Sequence, residues 1–279
     1  MQGLWLKNDR IRLGIGIDIL NDREHIPSLL TRCQGLYEFV EIYDGGNPTS
    51  VQLIEELSLS KTPILYHNPV LNLCGDAIAE EAIVSSASSS ASVFHAGWAV
   101  EEMGYSSIEG HSIPYFMPAV LTESSARKAA ANLRTLNSLF CVQILPETPA
   151  FEIVFGDITL ERFVRIIIDE CDTDFVLDIT HVMSYAHATG RDTTECCKAM
   201  PLNRVREVHL AGGAFVDSNG IKVFRDTHGS QRIPKLITQT LLELLPELNC
   251  LEAITIEVDG GSGPYAEEDI VDVRRSIGL

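Results

Sequence analysis

The sequence contains no long apolar run. No segment approaches the roughly 20 consecutive apolar residues that span a bilayer, and the first residues, MQGLWLKNDRIRLG, lack the apolar core of a signal peptide. No interior stretch rich in Pro, Gly or Ser is long enough to be a linker. We therefore expect a cytoplasmic protein with no membrane partner, in which residues 1–279 form a single domain.

Cysteine motifs and basic residues are also scarce. The seven cysteines are odd in number, scattered, and include no CxxC motif, which favours mostly reduced, buried thiols over a disulfide framework. Lys and Arg number 21 against 39 Asp and Glu, which gives a formal charge of −18 and a pI near 4.7. Because nucleic-acid-binding proteins generally present a basic surface, this balance argues against a nucleic-acid partner.

A dinucleotide-binding glycine motif is missing as well. The segment GIGIDI places Gly14 and Gly16 inside an apolar run, with Ile19 where the third glycine of a GxGxxG turn would stand. The pattern therefore argues against a nicotinamide-dependent or flavin-dependent enzyme of the dinucleotide-binding type.

Short β-branched runs recur along the chain, and helix-length segments such as 50–60, 124–140, 159–171 and 234–248 lie between them. Eight runs are candidate strands, at 12–19, 38–44, 62–67, 92–100, 140–147, 174–181, 205–212 and 253–259. This alternation predicts an α/β protein with a single (β/α)₈ TIM-type barrel of the xylose-isomerase-like kind. A doubly wound parallel sheet is the alternative.

Polar side chains accumulate where these runs end. In a barrel of parallel strands the carboxyl ends share one rim, so residues far apart in sequence converge on one cavity. Imidazole and carboxylate groups suit divalent Zn, Mn or Fe, and their number exceeds what one ion needs, so we expect more than one metal. The candidate ligands are His67, His95, Glu147, Asp178, His181, His209, Asp226, His228 and Glu257.

A single His or Glu at a strand end is more often a capping or hydrogen-bonding residue than a ligand. Together, however, so many buried titratable groups would be costly without a compensating cation. His25 and His111 lie among polar loop residues and are expected to be solvated, whereas His187 is either a supporting residue of the site or a surface residue. Glu41 or Asp259 would orient the metal ligands by hydrogen bonding to them without binding the metal.

The segments HNPVLNL, FHAGWA, LPETPAF, FVLDITHVMSYAHATGRD, VREVHLAGG, DTHGSQ and ITIEVD, in this order, resemble the multinuclear non-heme iron-dependent oxidative enzymes. The resemblance extends from about GIGIDI to ITIEVD. It implies a TIM-type barrel with two or three irons at its carboxyl rim. It also implies a reaction in which dioxygen remodels Cys or other residues of a ribosomally made precursor peptide, often beside a partner protein that recognises the leader.

Carried over by motif, the resemblance assigns metal ligation to His67, His95, Glu147, Asp178, His209, Asp226, His228 and Glu257. His181 stands where the family commonly has Asn, and it also offers a good ligand for ferrous iron. Asp178, His209 and Glu257 are the expected catalytic residues, with the carboxylates neutralising cationic charge. Glu147-Thr148 replaces the family's usual Glu-Asn pair, and Val93-Phe94 precede His95 where an acidic residue or Ser is common.

Two other functions use the same residues. A zinc- or manganese-dependent barrel isomerase or hydrolase would employ these ligand types to activate water or move a hydride. A peptide-binding scaffold with a decayed metal site would lack several ligands, and few are missing here. A peptide substrate would have to reach the rim, where the long connection from Glu101 to Thr122 is expected to form a wall or lid.

Overall fold

Eight parallel strands close into a barrel, and two hairpins stand apart from it. The computed structural model describes residues 10–19, 24–44, 62–218, 220–258 and 263–279. Its strands are β1 Arg12–Asp18, β2 Phe39–Tyr43, β3 Ile64–His67, β4 Ala99–Glu102, β5 Gly104–Ile108, β6 His111–Pro118, β7 Ile144–Glu147, β8 Phe175–Asp178, β9 Val205–Ala211, β10 Gly213–Ser218, β11 Ile221–Asp226 and β12 Ala253–Glu257.

The described helices follow the barrel strands and cover the outside of the barrel. They are α1 Ile26–Arg32, α2 Glu81–Val93, α3 Glu123–Leu139, α4 Leu160–Cys171, α5 Ile179–Thr189, α6 Thr193–Lys198, α7 Lys235–Leu244 and α8 Ala266–Ile277. Thr122 and Thr159 cap α3 and α4 by accepting hydrogen bonds from the Ser125 and Arg162 amides. The helix expected at 50–60 lies outside the described residues.

The barrel has the strand order β1-β12-β9-β8-β7-β4-β3-β2, which confirms the predicted (β/α)₈ fold and excludes the doubly wound sheet. Seven of the eight predicted strands overlap observed strands, but the sixth, predicted at 174–181, is too long because residues 179–181 begin α5. The fourth is partly wrong, because α2 continues to Val93 and β4 begins only at Ala99. His95 therefore precedes β4 and lies at its amino end, away from the rim where it was expected.

The barrel interior below the rim is filled with side chains. Alternate residues of each strand point inward, and the inward apolar cluster is Phe39, Leu65, Trp98, Val100, Leu145, Val176 and Ala253. Gly14 is required for this packing, because a Cβ there would lie 2.3 Å from the Phe39 ring. A larger apolar layer separates the barrel from the helices. Gly14 of GIGIDI thus serves core packing.

Two antiparallel hairpins, β5–β6 and β10–β11, extend from the rim end of the barrel. The first lies in the 101–122 connection, for which the sequence analysis expects a wall or lid. All seven cysteines are unpaired, and four of them are buried, in agreement with the absence of a disulfide framework. No described helix combines the length and apolar character that crossing a membrane would require.

Candidate metal centre

The carboxyl rim gathers imidazole and carboxylate groups from most of the barrel strands. Strand register places Glu102 opposite Glu147 and Asp178 opposite His209. Four overlapping groups have ligand atoms within 4.8 Å of one another: Glu41, His67 and His209; Glu147, Asp178, His209 and Glu257; Glu102, Glu147 and His181; and His181, Asp226 and His228. The predicted convergence at the rim is therefore present for eight of the nine candidate ligands.

Glu147 lies at the centre of these groups. Its Oε1 is 3.0 Å from His209 Nδ1, and its Oε2 is 3.2 Å from His67 Nε2. Burial favours the protonated form of this carboxyl, but the nearby imidazoles of His209 and His67 outweigh burial and hold its pKa well below the ordinary value. Glu147 is therefore an ionised carboxylate, which is the form that binds a cation.

Glu41 faces the opposite nitrogens of the same two imidazoles. Its Oε1 is 3.3 Å from His67 Nδ1, and its Oε2 is 3.0 Å from His209 Nε2. Each imidazole therefore lies between Glu41 and Glu147. A proton held on the Glu41 side leaves His67 Nε2 and His209 Nδ1 free to bind metal beside Glu147, which matches the orienting role expected for Glu41.

His181 is oriented by the backbone. Its Nδ1 lies 2.8 Å from the Thr148 carbonyl oxygen, and because a carbonyl only accepts, Nδ1 carries the proton. Nε2, which lies 3.2 Å from Asp226 Oδ2, is then the nitrogen that a metal would bind after displacing its proton. His228 Nε2 is 3.3 Å from the same oxygen. These three residues thus form a group that could hold a second ion.

Asp178 and Glu257 have buried oxygen atoms that no protein group satisfies. Asp178 Oδ1 accepts from the His181 amide and so caps α5, whereas Oδ2 has no hydrogen-bond partner. Glu257 Oε2 is likewise buried without a partner. Burial is the main reason that the pKa of Asp178 lies well above its ordinary value, and the nearby Glu257 and Asp226 add to it. Unsatisfied carboxylate oxygens beside His209 fit a bound cation.

Glu102 belongs to the site although the sequence analysis missed it. It ends β4, its side chain is 13% exposed, and its Oε1 lies 3.9 Å from His181 Nδ1. Burial and the neighbouring Glu147 raise its pKa to about 7. Had β4 been placed at 99–102, the same rule of strand ends would have selected Glu102 rather than His95.

The remaining histidines lie outside these groups. His95 is exposed and has a left-handed φ of 52° in the turn before β4, so the structure does not bring it to the rim with the other candidate ligands. His25 and His111 are exposed, as expected. His187 Nε2 lies 2.7 Å from the Lys222 carbonyl oxygen and links α5 to the β10–β11 hairpin. Asp259 lies outside the described residues.

Glu207 supports His209 from inside the barrel. It is fully buried, and its Oε1 lies 3.4 Å from His209 Nε2. The same oxygen accepts from Thr255 Oγ1 at 2.6 Å, and Oε2 accepts from Trp98 Nε1 at 2.7 Å. Two hydrogen bonds therefore fix the carboxylate that faces the imidazole.

We predict that Glu207→Gln weakens metal binding by about 10- to 100-fold without unfolding the barrel, since partners of ligating histidines carry effects of this size. Competition with a chromophoric chelator measures the affinity, and circular dichroism checks the fold. Thr255→Val, which removes only one anchor of Glu207, should have a smaller effect in the same direction. Unchanged affinity in Glu207→Gln would show that His209 does not depend on Glu207.

Fold and site together define a barrel of the xylose-isomerase-like class with residues suited to hold several metal ions. The chain is similar in fold to endonuclease IV from Thermus thermophilus, with a TM-score of 0.57, 15% identity and coverage of 96% of this chain and 99% of that chain. It is also similar to the 3-keto-D-glucoside 4-epimerase YcjR from E. coli, with a TM-score of 0.57, 14% identity and coverage of 97% and 100%.

The chain belongs to the RiPP precursor modification enzyme family MbnB/TglH/ChrH, whose model matches residues 14–269. This confirms the family resemblance seen in the sequence. A UPF0276 protein of Nitrosospira multiformis is 24% identical over 229 residues, which are 80% of this chain and 77% of that protein. A UPF0276 protein of Pseudomonas aeruginosa is 29% identical over 115 residues, 41% of this chain and 39% of that protein.

Proposed function

We propose that this protein is a multinuclear iron enzyme that uses dioxygen to modify a Cys residue of a ribosomally made precursor peptide. The observation that carries the proposal is the set of four overlapping ligand groups at the rim, with buried oxygens of Asp178 and Glu257 that lack partners. Membership of a family of RiPP precursor modification enzymes supports a peptide substrate. The family resemblance also supports a partner protein that recognises the leader.

The protein's own residues would prepare the site in three ways. Asp178, Glu147 and Glu257 would neutralise the charge of two or three ions, and His67, His181, His209 and His228 would supply nitrogen ligands that suit iron. Glu41 and the Thr148 carbonyl would keep the imidazole protons away from the metal side. Bound iron would supply the electron chemistry and the activation of dioxygen that no side chain provides.

The metal content tests the first part of the proposal. After anaerobic reconstitution with ferrous iron, we expect at least two bound irons per chain, because the ligand atoms form more than one group. Elemental analysis gives the count, and a Mössbauer spectrum gives the iron environments. Fewer than one tightly bound transition metal per chain would contradict a multinuclear centre.

The reaction is tested with the peptides encoded beside the gene. Iron-loaded protein is incubated with each peptide, with and without dioxygen and with and without the co-encoded candidate partner protein, and peptide masses are recorded. A dioxygen-dependent mass change that maps to Cys is expected, with His95→Ala as an active control. Dioxygen-independent hydrolysis or isomerisation with zinc or manganese would favour the other metal-dependent enzymes, and binding without a mass change would favour a peptide-binding scaffold.

A further inference from the structure

We propose that a groove beside the β5–β6 hairpin binds a basic segment of the precursor peptide, next to the residue that reaches the metal centre. This inference rests on the proposed peptide substrate and adds where the peptide lies and what charge it carries. We call this cavity, which lies between residues 69–83 and the hairpin residues 105–116, the hairpin groove. Its position, its rigidity and its charge each support such an occupant.

The hairpin groove adjoins the metal centre through Tyr43. It has a volume of about 810 Å³, and Tyr43 is one of the residues that line it. The Tyr43 ring packs edge-on against the His67 imidazole, with 5.0 Å between ring centroids. Cavities of this size accept ligands as large as a short peptide segment. A peptide that contacts Tyr43 in the groove would therefore lie one side chain away from His67.

The walls of the groove are held in place by two buried asparagines. Asn72 Oδ1 accepts from the Ser106 and Ser107 amides at 2.9 and 3.1 Å, and its Nδ2 donates to the Ala77 carbonyl at 2.8 Å. Asn132 Nδ2 donates to the carbonyls of Leu73 and Gly75 at 3.0 and 2.9 Å. The Asn72 bonds tie the hairpin to the segment after β3, and the Asn132 bonds tie α3 to the same segment. A preformed groove lowers the ordering cost of binding.

The charges of the groove favour a basic occupant. Asp76, Glu80 and Glu109 line it, and Lys128 is the sole Lys or Arg among the described residues that do so. Ile83 and Ile108, which also line it, are 37% and 47% exposed. A segment that combines Lys or Arg with apolar residues would pair with these carboxylates and cover both isoleucines. An acidic segment would be repelled.

The test uses two short fluorescent peptides that contain one Cys and differ only in carrying Lys or Glu at the same positions between Val residues. Binding to iron-loaded protein is measured by anisotropy without dioxygen, so that no turnover occurs. We expect the Lys peptide to bind at least about tenfold more tightly than the Glu peptide, with the difference shrinking as salt increases. Equal binding of the two peptides would overturn the inference.

Matched variants locate the effect. Glu80→Lys combined with Glu109→Lys reverses two groove charges, and neither residue belongs to the metal-ligand groups. The control combines Asp169→Lys with Glu247→Lys, which changes the net charge equally but places the new charges away from the groove, near the carboxyl end of α4 and in the turn before β12. The groove variant should lose the preference for the Lys peptide, and the control should keep it. Loss of the preference in both variants would show that it reflects net charge alone, and retention in both would show that it arises outside the groove; either result would overturn the inference.

Photo-crosslinking then distinguishes peptide binding in this groove from binding to other surfaces. A benzophenone on the Lys peptide should attach to residues 70–83 or 105–113, whereas attachment near Phe215 or Ile221, on the exposed apolar side of the β10–β11 hairpin, would overturn the inference. The outcome is independent of the reaction. Binding in the groove without any peptide modification would contradict the proposed function but not the groove proposal. Modification with an unaltered KM in the groove variant would contradict the groove proposal but not the proposed function.

Discussion

Replacing His209 by Ala is expected to remove bound metal and abolish activity while the barrel stays folded. The imidazole stands between two ligand groups, since Nδ1 faces Glu147 and Glu257 and Nε2 faces Glu41. Without it, the group formed with Glu147, Asp178 and Glu257 keeps three carboxylates and no nitrogen ligand, so affinity should fall by more than about 100-fold, beyond the range seen for supporting residues. Metal analysis after desalting and a dioxygen uptake assay measure the two losses.

Asp178→Ala should also remove bound metal and abolish activity, but it has a second effect on helix stability. Its Oδ1 caps α5, so Asp178→Ala also costs about 1 kcal/mol of helix stability. Asp178→Asn keeps a capping oxygen and removes the charge, and it should lose metal without that penalty. The controls are His25→Ala, His95→Ala and His111→Ala, because all three side chains are exposed. If His25→Ala emptied the site and His209→Ala did not, the assignment to the rim would be wrong.

Removing the metals should reverse the pH dependence of stability. Burial alone would lower the pKa of the three central imidazoles, but the surrounding carboxylates outweigh it, so their pKa lies well above the ordinary value of 6.5. The pKa of Glu102 and of Glu207 is raised to about 7, mainly by burial. The imidazoles concerned are those of His67, His181 and His209.

All these groups hold more protons in the folded chain than in the unfolded chain. Their contribution to the metal-free protein is therefore fully present below the unfolded pKa and is lost as pH rises through the raised pKa. Glu41, Glu147 and Asp226 have lowered pKa values, and their contribution is lost only on acidification below about pH 4. Between about pH 6 and 9 the metal-free protein should lose stability with rising pH.

Metals compete with these protons, so the loaded protein should show the opposite trend. Affinity is expected to rise at least about tenfold per pH unit between about pH 6 and 8, since each ion displaces one proton or more. Thermal unfolding of chelated and loaded protein across this range, together with proton release in weakly buffered solution, measures both trends. Metal affinity that does not change with pH would rule out the histidines and Glu102 as ligands.

Several of the residues that the structure brings together at the rim were predicted because they end a strand. Glu147, Asp178 and Glu257 each close a buried β-branched run, and a parallel barrel brings such ends to one rim. His95 was misplaced because VFHAGWAV has the composition of a strand, whereas the serine-rich segment before it continues as α2 to Val93. The boundary between α2 and β4 depends on how the helix packs, and the composition of the segment does not predict it.

Other members of the site could not be predicted from the sequence, for a different reason. Glu207 lies two residues before His209 and points into the barrel with it, because side chains repeat every second residue. A buried carboxylate below the rim is recognisable only once Trp98 and Thr255 are known to lie opposite it. The hairpin groove likewise depends on Asn72 and Asn132, which are distant in sequence and have no local signature.

The filled interior of the barrel determines how molecules reach the site. Phe39, Trp98 and their neighbours occupy the space beneath the ligands, so in the part of the chain that the structure describes the barrel interior offers no passage to them. Under the proposed function, peptide, dioxygen and water would all approach from the rim. A peptide bound across the rim would keep bulk water from the reacting residue. It would also have to dissociate before the next precursor peptide could bind.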